Sequence, residues 1–277
     1  MPTTEANGQR LYYEVHGEGE PLLLVMGLAA DTLAWALQVP AFSARHRTVI
    51  FDNRDVGQSS MADGPYEITD MARDTVALAD ALELKSFHLA GVSMGGAIAQ
   101  EVALAAPDRI RSLTLAMTWP RGGAWAAKLS ELWSARVHEM SPEQRVDELM
   151  LLTLSEAFFE NAEGVAWLRD LMLQNPHPQP AEAFARQLDA SSRQDTVDRL
   201  GELNMPTHVI GAEHDILVPV WKSRELSELI PGAKLDVIEA CPHGANLERA
   251  EEFNRLVLDF IEGQSRENSA RASSTVS

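Results

Sequence analysis

Short apolar runs alternate with helical segments along most of this chain, and that alternation restricts the fold more than any other feature. Leu22-Leu23-Leu24-Val25, Arg47-Thr48-Val49-Ile50-Phe51, Ser86-Phe87-His88-Leu89-Ala90, Leu113-Thr114-Leu115-Ala116-Met117, Thr207-His208-Val209-Ile210 and residues 234–238 each read as a strand. Leu22 to Val25 is apolar without a break, as expected for a strand buried on both faces. Helical segments fall between these runs at residues 35–44, 69–84, 95–106, 221–229 and 250–261; in 69–84, Met71, Val76, Leu78, Ala79 and Leu82 recur at helical spacing. Pro107 ends the third of them. Such alternation predicts a mostly parallel central sheet with helices on both faces. Near the N-terminus, Asn7-Gly8 is a hairpin signal leading into the strand-like run Leu11 to Val15.

The alternation stops between about Arg121 and Arg199. Helical stretches near residues 124–138, 145–155, 165–174 and 181–191 follow one another without a strand, broken by Asn175-Pro176-His177-Pro178-Gln179-Pro180. Ser141-Pro142-Glu143-Gln144 has the form of a helix start: Ser at the N-cap, Pro at the first position, Gln at the third. The expected organisation is an α/β core in two parts, residues 1–120 and 200–264, with a helical insertion at 121–199 after the sixth strand. Residues 265–277 are polar and lack periodicity, and read as a disordered tail. At 277 residues the core fits one α/β domain.

Composition narrows the function. The net charge of −18 opposes non-specific binding to nucleic acid or to an anionic membrane, because both need a basic face. A single cysteine excludes an intramolecular disulfide and any multi-cysteine metal site. The first residues lack a basic and then apolar leader, and the longest apolar stretch, from Pro21 to Ala30, is too short to span a bilayer. The expectation is a soluble cytoplasmic protein with a small-molecule substrate; monomer and homo-oligomer both fit the sequence.

Gly91-Val92-Ser93-Met94-Gly95 carries the chemistry. A G-x-S-x-G pentapeptide between a strand and a helix forms a tight turn that exposes the serine hydroxyl at the carboxyl end of the sheet, where the N-terminal amides of the new helix favour negative charge. A serine needs a base. Of the eight histidines, His243 lies in the loop between the last strand and the last helix, from where it can reach back to Ser93. The base needs an acid to hold its tautomer. Asp215, after the strand ending near Gly211-Ala212, is favoured; Glu213, two residues away, is the competitor. The chain order Ser93, Asp215, His243 suits this elbow.

These residues together resemble the α/β-hydrolase superfamily, over the chain from about Gly8 to Gly263. Within it the chain looks most like the bacterial enol-lactonases, cofactor-free haloperoxidase-type esterases and related carboxylesterases. The resemblance rests on Leu24-Val25-Met26-Gly27-Leu28, Asp52-Asn53-Arg54-Asp55-Val56-Gly57-Gln58-Ser59, Gly91 to Gly96, Glu213-His214-Asp215 with Pro219, and His243 with Asn246-Leu247-Glu248. It implies the α/β-hydrolase fold, an acyl-enzyme route without metal or organic cofactor, and an oxyanion hole formed by the backbone N–H groups of Leu28 and Met94. Three positions depart from the family pattern: Met26 stands for the usual histidine, Asp55 for the glycine of the Asp-x-Arg-Gly loop, and Pro242 for the glycine before the base. Serine at the elbow opposes the dehalogenase and epoxide-hydrolase relatives, which use aspartate there. Cys241 reads as a small packed side chain rather than a second nucleophile.

In this superfamily a helical insertion at this place forms a cap over the active site. Trp119, Trp125, Trp133, Phe158 and Trp167 lie in or beside it. They either line a substrate pocket, which would then favour a hydrophobic acyl or alcohol group, or form the insertion's own core. The leading expectation is a serine hydrolase of a small, largely apolar carboxylic ester or lactone. C–C bond hydrolysis or perhydrolysis on the same residues, and a non-catalytic receptor on a hydrolase fold, are the alternatives.

Overall fold

Eight strands make one sheet: β1 (Thr3–Ala6), β2 (Gln9–His16), β3 (Glu20–Val25), β4 (His46–Phe51), β5 (Phe87–Val92), β6 (Ile110–Ala116), β7 (Thr207–Ala212) and β8 (Lys234–Ile238), in the order β1-β2-β4-β3-β5-β6-β7-β8. The computed structural model describes residues 2–274, with side chains through residue 264. β1 and β2 form an antiparallel hairpin whose turn holds Asn7 and Gly8 at φ 50° and 75°, the conformation that the Asn-Gly pair favours. β2 joins β4 antiparallel, and every pairing from β4 to β8 is parallel.

The unbroken apolar strands have a packing reason. Leu23 and Val25 of β3 join one core cluster with Met71 and Leu78 of α2 (Ile68–Ala81), Ala97, Ile98 and Val102 of α3 (Met94–Ala105) and Leu226 of α9 (Val220–Leu229). Leu22 and Leu24 join a second cluster with Phe42 of α1 (Val39–Ser43) and Phe253, Val257 and Ile261 of α11 (Ala250–Ser274). Successive strand residues point to opposite faces, so a sheet covered on both sides demands an apolar residue at every position.

Five helices separate β6 from β7: α4 (Gly123–Arg136), α5 (Pro142–Thr153), α6 (Glu156–Phe159), α7 (Ala162–Leu173) and α8 (Ala181–Ser192). The capping box at α5 forms as its sequence requires, with Ser141 Oγ accepting the Gln144 N–H at 3.2 Å and Gln144 Oε1 accepting the Ser141 N–H at 2.8 Å. α6 was not anticipated; Ser155 Oγ caps it by accepting the Phe158 N–H, and one turn is too short for periodicity to register. The segment read as one helix at 35–44 is instead a 3₁₀ turn (Thr32–Trp35) followed by α1, because Asp31 caps the turn through the Leu33 N–H and Pro40 opens the helix. An antiparallel bridge between Arg121 and Asp195 closes the base of the insertion. α11 runs on to Ser274, into the segment read as a tail without regular structure; residues 275–277 lie outside the described residues. No helix among the described residues is long and apolar enough to cross a membrane.

At the amino ends of the parallel strands sit three buried histidines, His46, His88 and His208. His88 Nδ1 meets Ser112 Oγ at 2.8 Å, His208 Nε2 meets Asp236 Oδ2 at 2.8 Å, and His46 packs edge-on to His88. Burial lowers the pKa of each below the ordinary histidine value, although Glu20 beside His46 and His88 and Asp236 beside His208 oppose it. A base whose folded-state pKa lies below its unfolded one stabilises the fold above about pH 6.5, and that contribution is lost as the pH falls below this value. Asp52 acts in the opposite sense: burial raises its carboxyl to about 6, so its charged form is penalised in the fold and the penalty lifts on acidification. Replacing His46 by Phe leaves the Asp52 effect in place. His46→Phe should therefore lose less stability than the wild type between pH 7.5 and 5.5, measured by urea unfolding at both pH values; an equal loss would refute the assignment.

Candidate active site

The parallel strands all end at one edge, and the loops leaving β3, β5, β7 and β8 there carry the polar groups that meet. Ser93 follows β5 and precedes α3 at φ 57°, ψ −123°, in the left-handed region that costs an ordinary residue about 1–3 kcal/mol. Its neighbours explain how the turn is tolerated. A Cβ on Gly91 would collide with the Gly95 carbonyl, and one on Gly95 with the Val25 carbonyl, so α3 starts tight against β3 and β5 only because both residues lack side chains. The Ser93 N–H is held by the Ala116 carbonyl of β6 at 2.9 Å.

His243 Nε2 lies 3.0 Å from Ser93 Oγ, and His243 Nδ1 lies 2.6 Å from Asp215 Oδ2. An ionised carboxylate only accepts, so Nδ1 carries the proton and Nε2 turns its lone pair to the serine hydroxyl. Asp215 is itself fixed: its Oδ1 accepts the N–H groups of Leu217 at 2.9 Å and Val218 at 2.7 Å, and its side chain is wholly buried. Glu213 goes elsewhere, accepting the Ala240 N–H at 2.8 Å on the surface. Cys241, next but one to His243, is buried in the second core cluster, and burial pushes its thiol up to about 12. It holds no thiolate near neutral pH.

The backbone N–H groups of Leu28 and Met94 hydrogen-bond to no acceptor among the described residues. Leu28 lies in the loop after β3, Met94 opens α3, and both flank Ser93. Met26, at the position where the resembled family has histidine, is buried, and its carbonyl accepts the Nδ2–H of Asn53 at 2.9 Å. Asn53 thus pins the β3 loop from the β4 loop, a role the sequence reading did not find.

A largely apolar cavity of about 90 Å³ opens on Ser93. Leu28, Trp119, Leu217 and Val218 line it from the core side; Trp125, Leu129 and Trp133 of α4 and Leu188 of α8 line it from the insertion. Three of the five aromatic residues anticipated for a pocket are therefore in its wall. Phe158 and Trp167 are not. Phe158 packs on Phe159 within the insertion, and Trp167 on α7 is 65% exposed. Lys222 also lines the cavity; its ammonium donates to the Arg121 carbonyl at 2.9 Å, and burial lowers its pKa.

The sheet order, the strained serine after β5 and the three side chains meeting at the carboxyl edge define an α/β hydrolase. The family model for the alpha/beta hydrolase fold matches residues 20–250, and the chain belongs to that family. A relative from Azorhizobium caulinodans named "Putative carbamate hydrolase RutD" is 32% identical over 94% of this chain and 98% of its own length. Among solved structures, an enol-lactonase from Burkholderia xenovorans LB400 is similar with a TM-score of 0.86 and 27% identity, covering 94% of this chain and 100% of that one. A thermophilic esterase from Thermogutta terrifontis is similar with a TM-score of 0.85 and 26% identity, covering 95% and 99%. The protein is a hydrolase.

The two acids near β7 give the first functional expectation. Asp215→Asn can no longer hold the Nδ1–H tautomer and should lower kcat by about 10⁴. Glu213→Gln should stay within a few-fold of wild type. Steady-state kinetics on any turned-over substrate check the ranking, and its reversal would move the acid to Glu213.

Proposed function

We propose that this hydrolase cleaves a small, largely apolar carboxylic ester or lactone through a serine-bound acyl intermediate. The observation that carries the reading is the hydrogen-bonded chain Asp215–His243–Ser93 ending in an apolar cavity. Ser93 Oγ attacks the carbonyl carbon as His243 Nε2 takes its proton, and Asp215 stabilises the imidazolium that results. The carbonyl oxygen becomes an oxyanion received by the N–H groups of Leu28 and Met94; a donor of this kind is worth about 10²–10³ in rate. His243 returns the proton to the leaving alkoxide, then deprotonates water, whose attack on the acyl carbon releases the acid and restores Ser93. The insertion acts as a cap: Trp125, Leu129 and Trp133 seat an apolar group and exclude bulk water, which strengthens the oxyanion contacts.

A carbamate ester is the second reading, supported by the name of the Azorhizobium relative. Its carbonyl is open to the same attack, with a carbamoyl-serine in place of the acyl-serine.

A chain-length panel of p-nitrophenyl esters, matched lactones and a p-nitrophenyl carbamate, assayed with wild type and Ser93→Ala, tests both. Turnover of short acyl esters should fall by about 10⁴ or more in Ser93→Ala while the fold persists by circular dichroism. Turnover that survives the substitution would overturn the nucleophile, and a strong preference for the carbamate would favour the second reading.

A further inference from the structure

Gln187 lies on α8, in the insertion, and is fully buried. Its amide does not bond to its own helix; it reaches two loops of the α/β core. Oε1 accepts the N–H of Ala29 at 3.0 Å, and Nε2 donates to the carbonyl of Arg54 at 2.9 Å. Gln179 reinforces the link, its Nε2 donating to Gln187 Oε1 at 3.0 Å and to the Asp55 carbonyl at 2.9 Å. The amide has one permitted orientation, because the Ala29 N–H only donates and the Arg54 carbonyl only accepts.

Ala29 is the residue after Leu28, and its φ is 61°. That left-handed conformation costs an alanine about 1–2 kcal/mol and persists only where surrounding contacts hold it. The loop is fixed on either side as well: Asn53 holds the Met26 carbonyl, and Asn175 of the insertion donates to Asp31 Oδ2 at 2.7 Å. The Gln187 bond falls between these anchors, at the strained residue itself, one peptide away from the Leu28 N–H.

We propose that Gln187 is a positioning residue which, by capturing the Ala29 N–H, holds the loop after β3 in the strained form that aims the Leu28 N–H at the oxyanion. The inference rests on the serine-hydrolase reading above. It makes the insertion a part of the oxyanion hole as well as a wall of the cavity. Without the amide, Ala29 relaxes and the Leu28 donor turns away from the position where charge develops. Ground-state binding in the apolar cavity is untouched, since Gln187 does not line it.

The test uses Gln187→Met, which keeps length and volume but none of the three hydrogen bonds, and Gln187→Glu, which keeps an acceptor for Ala29. Each is assayed on the best ester of the panel, with butylboronic acid as a probe that forms a tetrahedral adduct on Ser93 and with butanol as a ground-state probe. Gln187→Met should lose about 10-fold to 100-fold in kcat, the range expected for a misplaced catalytic group, with KM within about threefold of wild type. Boronate affinity should fall by a similar factor while butanol affinity holds. Gln187→Glu should recover part of kcat, and it carries the test if Gln187→Met does not fold. Wild-type kcat and boronate affinity in the folded variants would overturn the proposal, as would a rise in KM alone. Failure of the underlying reading shows separately, as a wild type whose turnover does not depend on Ser93.

Discussion

One backbone conformation, the positive φ at Ser93, is the constraint on which the site depends. The chain adopts it only where α3 can begin against the ends of β3 and β5, and this contact requires the two glycines that flank the serine. β6 then holds the Ser93 N–H in place. The strain is sustained by three adjacent parallel strands buried between two apolar layers, whose packing leaves no room for the turn to relax. The rigidity of the sheet therefore sets the position of the hydroxyl, and the longer loops after β7 and β8 have only to bring Asp215 and His243 to it.

The parts of this architecture that depend on short stretches of chain were legible in the sequence. The strand from Leu22 to Val25 announces itself because both of its faces are buried, and the serine turn because its flanking positions admit only glycine. Asp215 and His243 stand out in the sequence through their places after strands, with Glu213 as a competitor; only the structure separates the two acids, one carboxylate facing the histidine and the other the Ala240 N–H. What the sequence concealed depends on contacts between distant segments. Gln187 and Asn53 are ordinary polar residues until the fold places them beside backbone groups more than 20 residues away in the chain. Phe158 and Trp167 have the right chemistry for a pocket wall, but their helices face other parts of the insertion or solvent. Aromatic composition located the cavity's neighbourhood and three residues of its wall, Trp119, Trp125 and Trp133, but did not separate them from the two that face elsewhere.

A polar seam joins the insertion to the core. Asp55, itself at a positive φ of 69° where the resembled family has glycine, is wholly buried, and its carboxylate takes a bidentate pair from Arg186 of α8 at 2.8 and 2.7 Å. The departure from glycine thus comes with a partner. Arg54 is likewise paired with Asp74 of α2. On the histidine side, the Gly244 N–H donates to the Thr153 carbonyl at 2.7 Å, and Glu248 accepts both the N–H and the hydroxyl of Ser155 at 2.6 Å. Buried charges and amides of this kind cost several kcal/mol when one partner is lost, which favours a single docked arrangement of the two parts.

The two helices that wall the cavity are bound very differently. α8 carries Arg186 and Gln187 into the seam. The charged side chains of α4 pair only inside the insertion, Lys128 with Glu131 and Arg136 with Glu148 of α5, while Trp125, Leu129 and Trp133 face the cavity. On the function proposed above, changes along α4 reshape what the cavity admits without touching the Asp215–His243–Ser93 chain. On that reading one wall is open to divergence and the other is held by the chemistry, and descendants that acquire new substrates should differ first along the former.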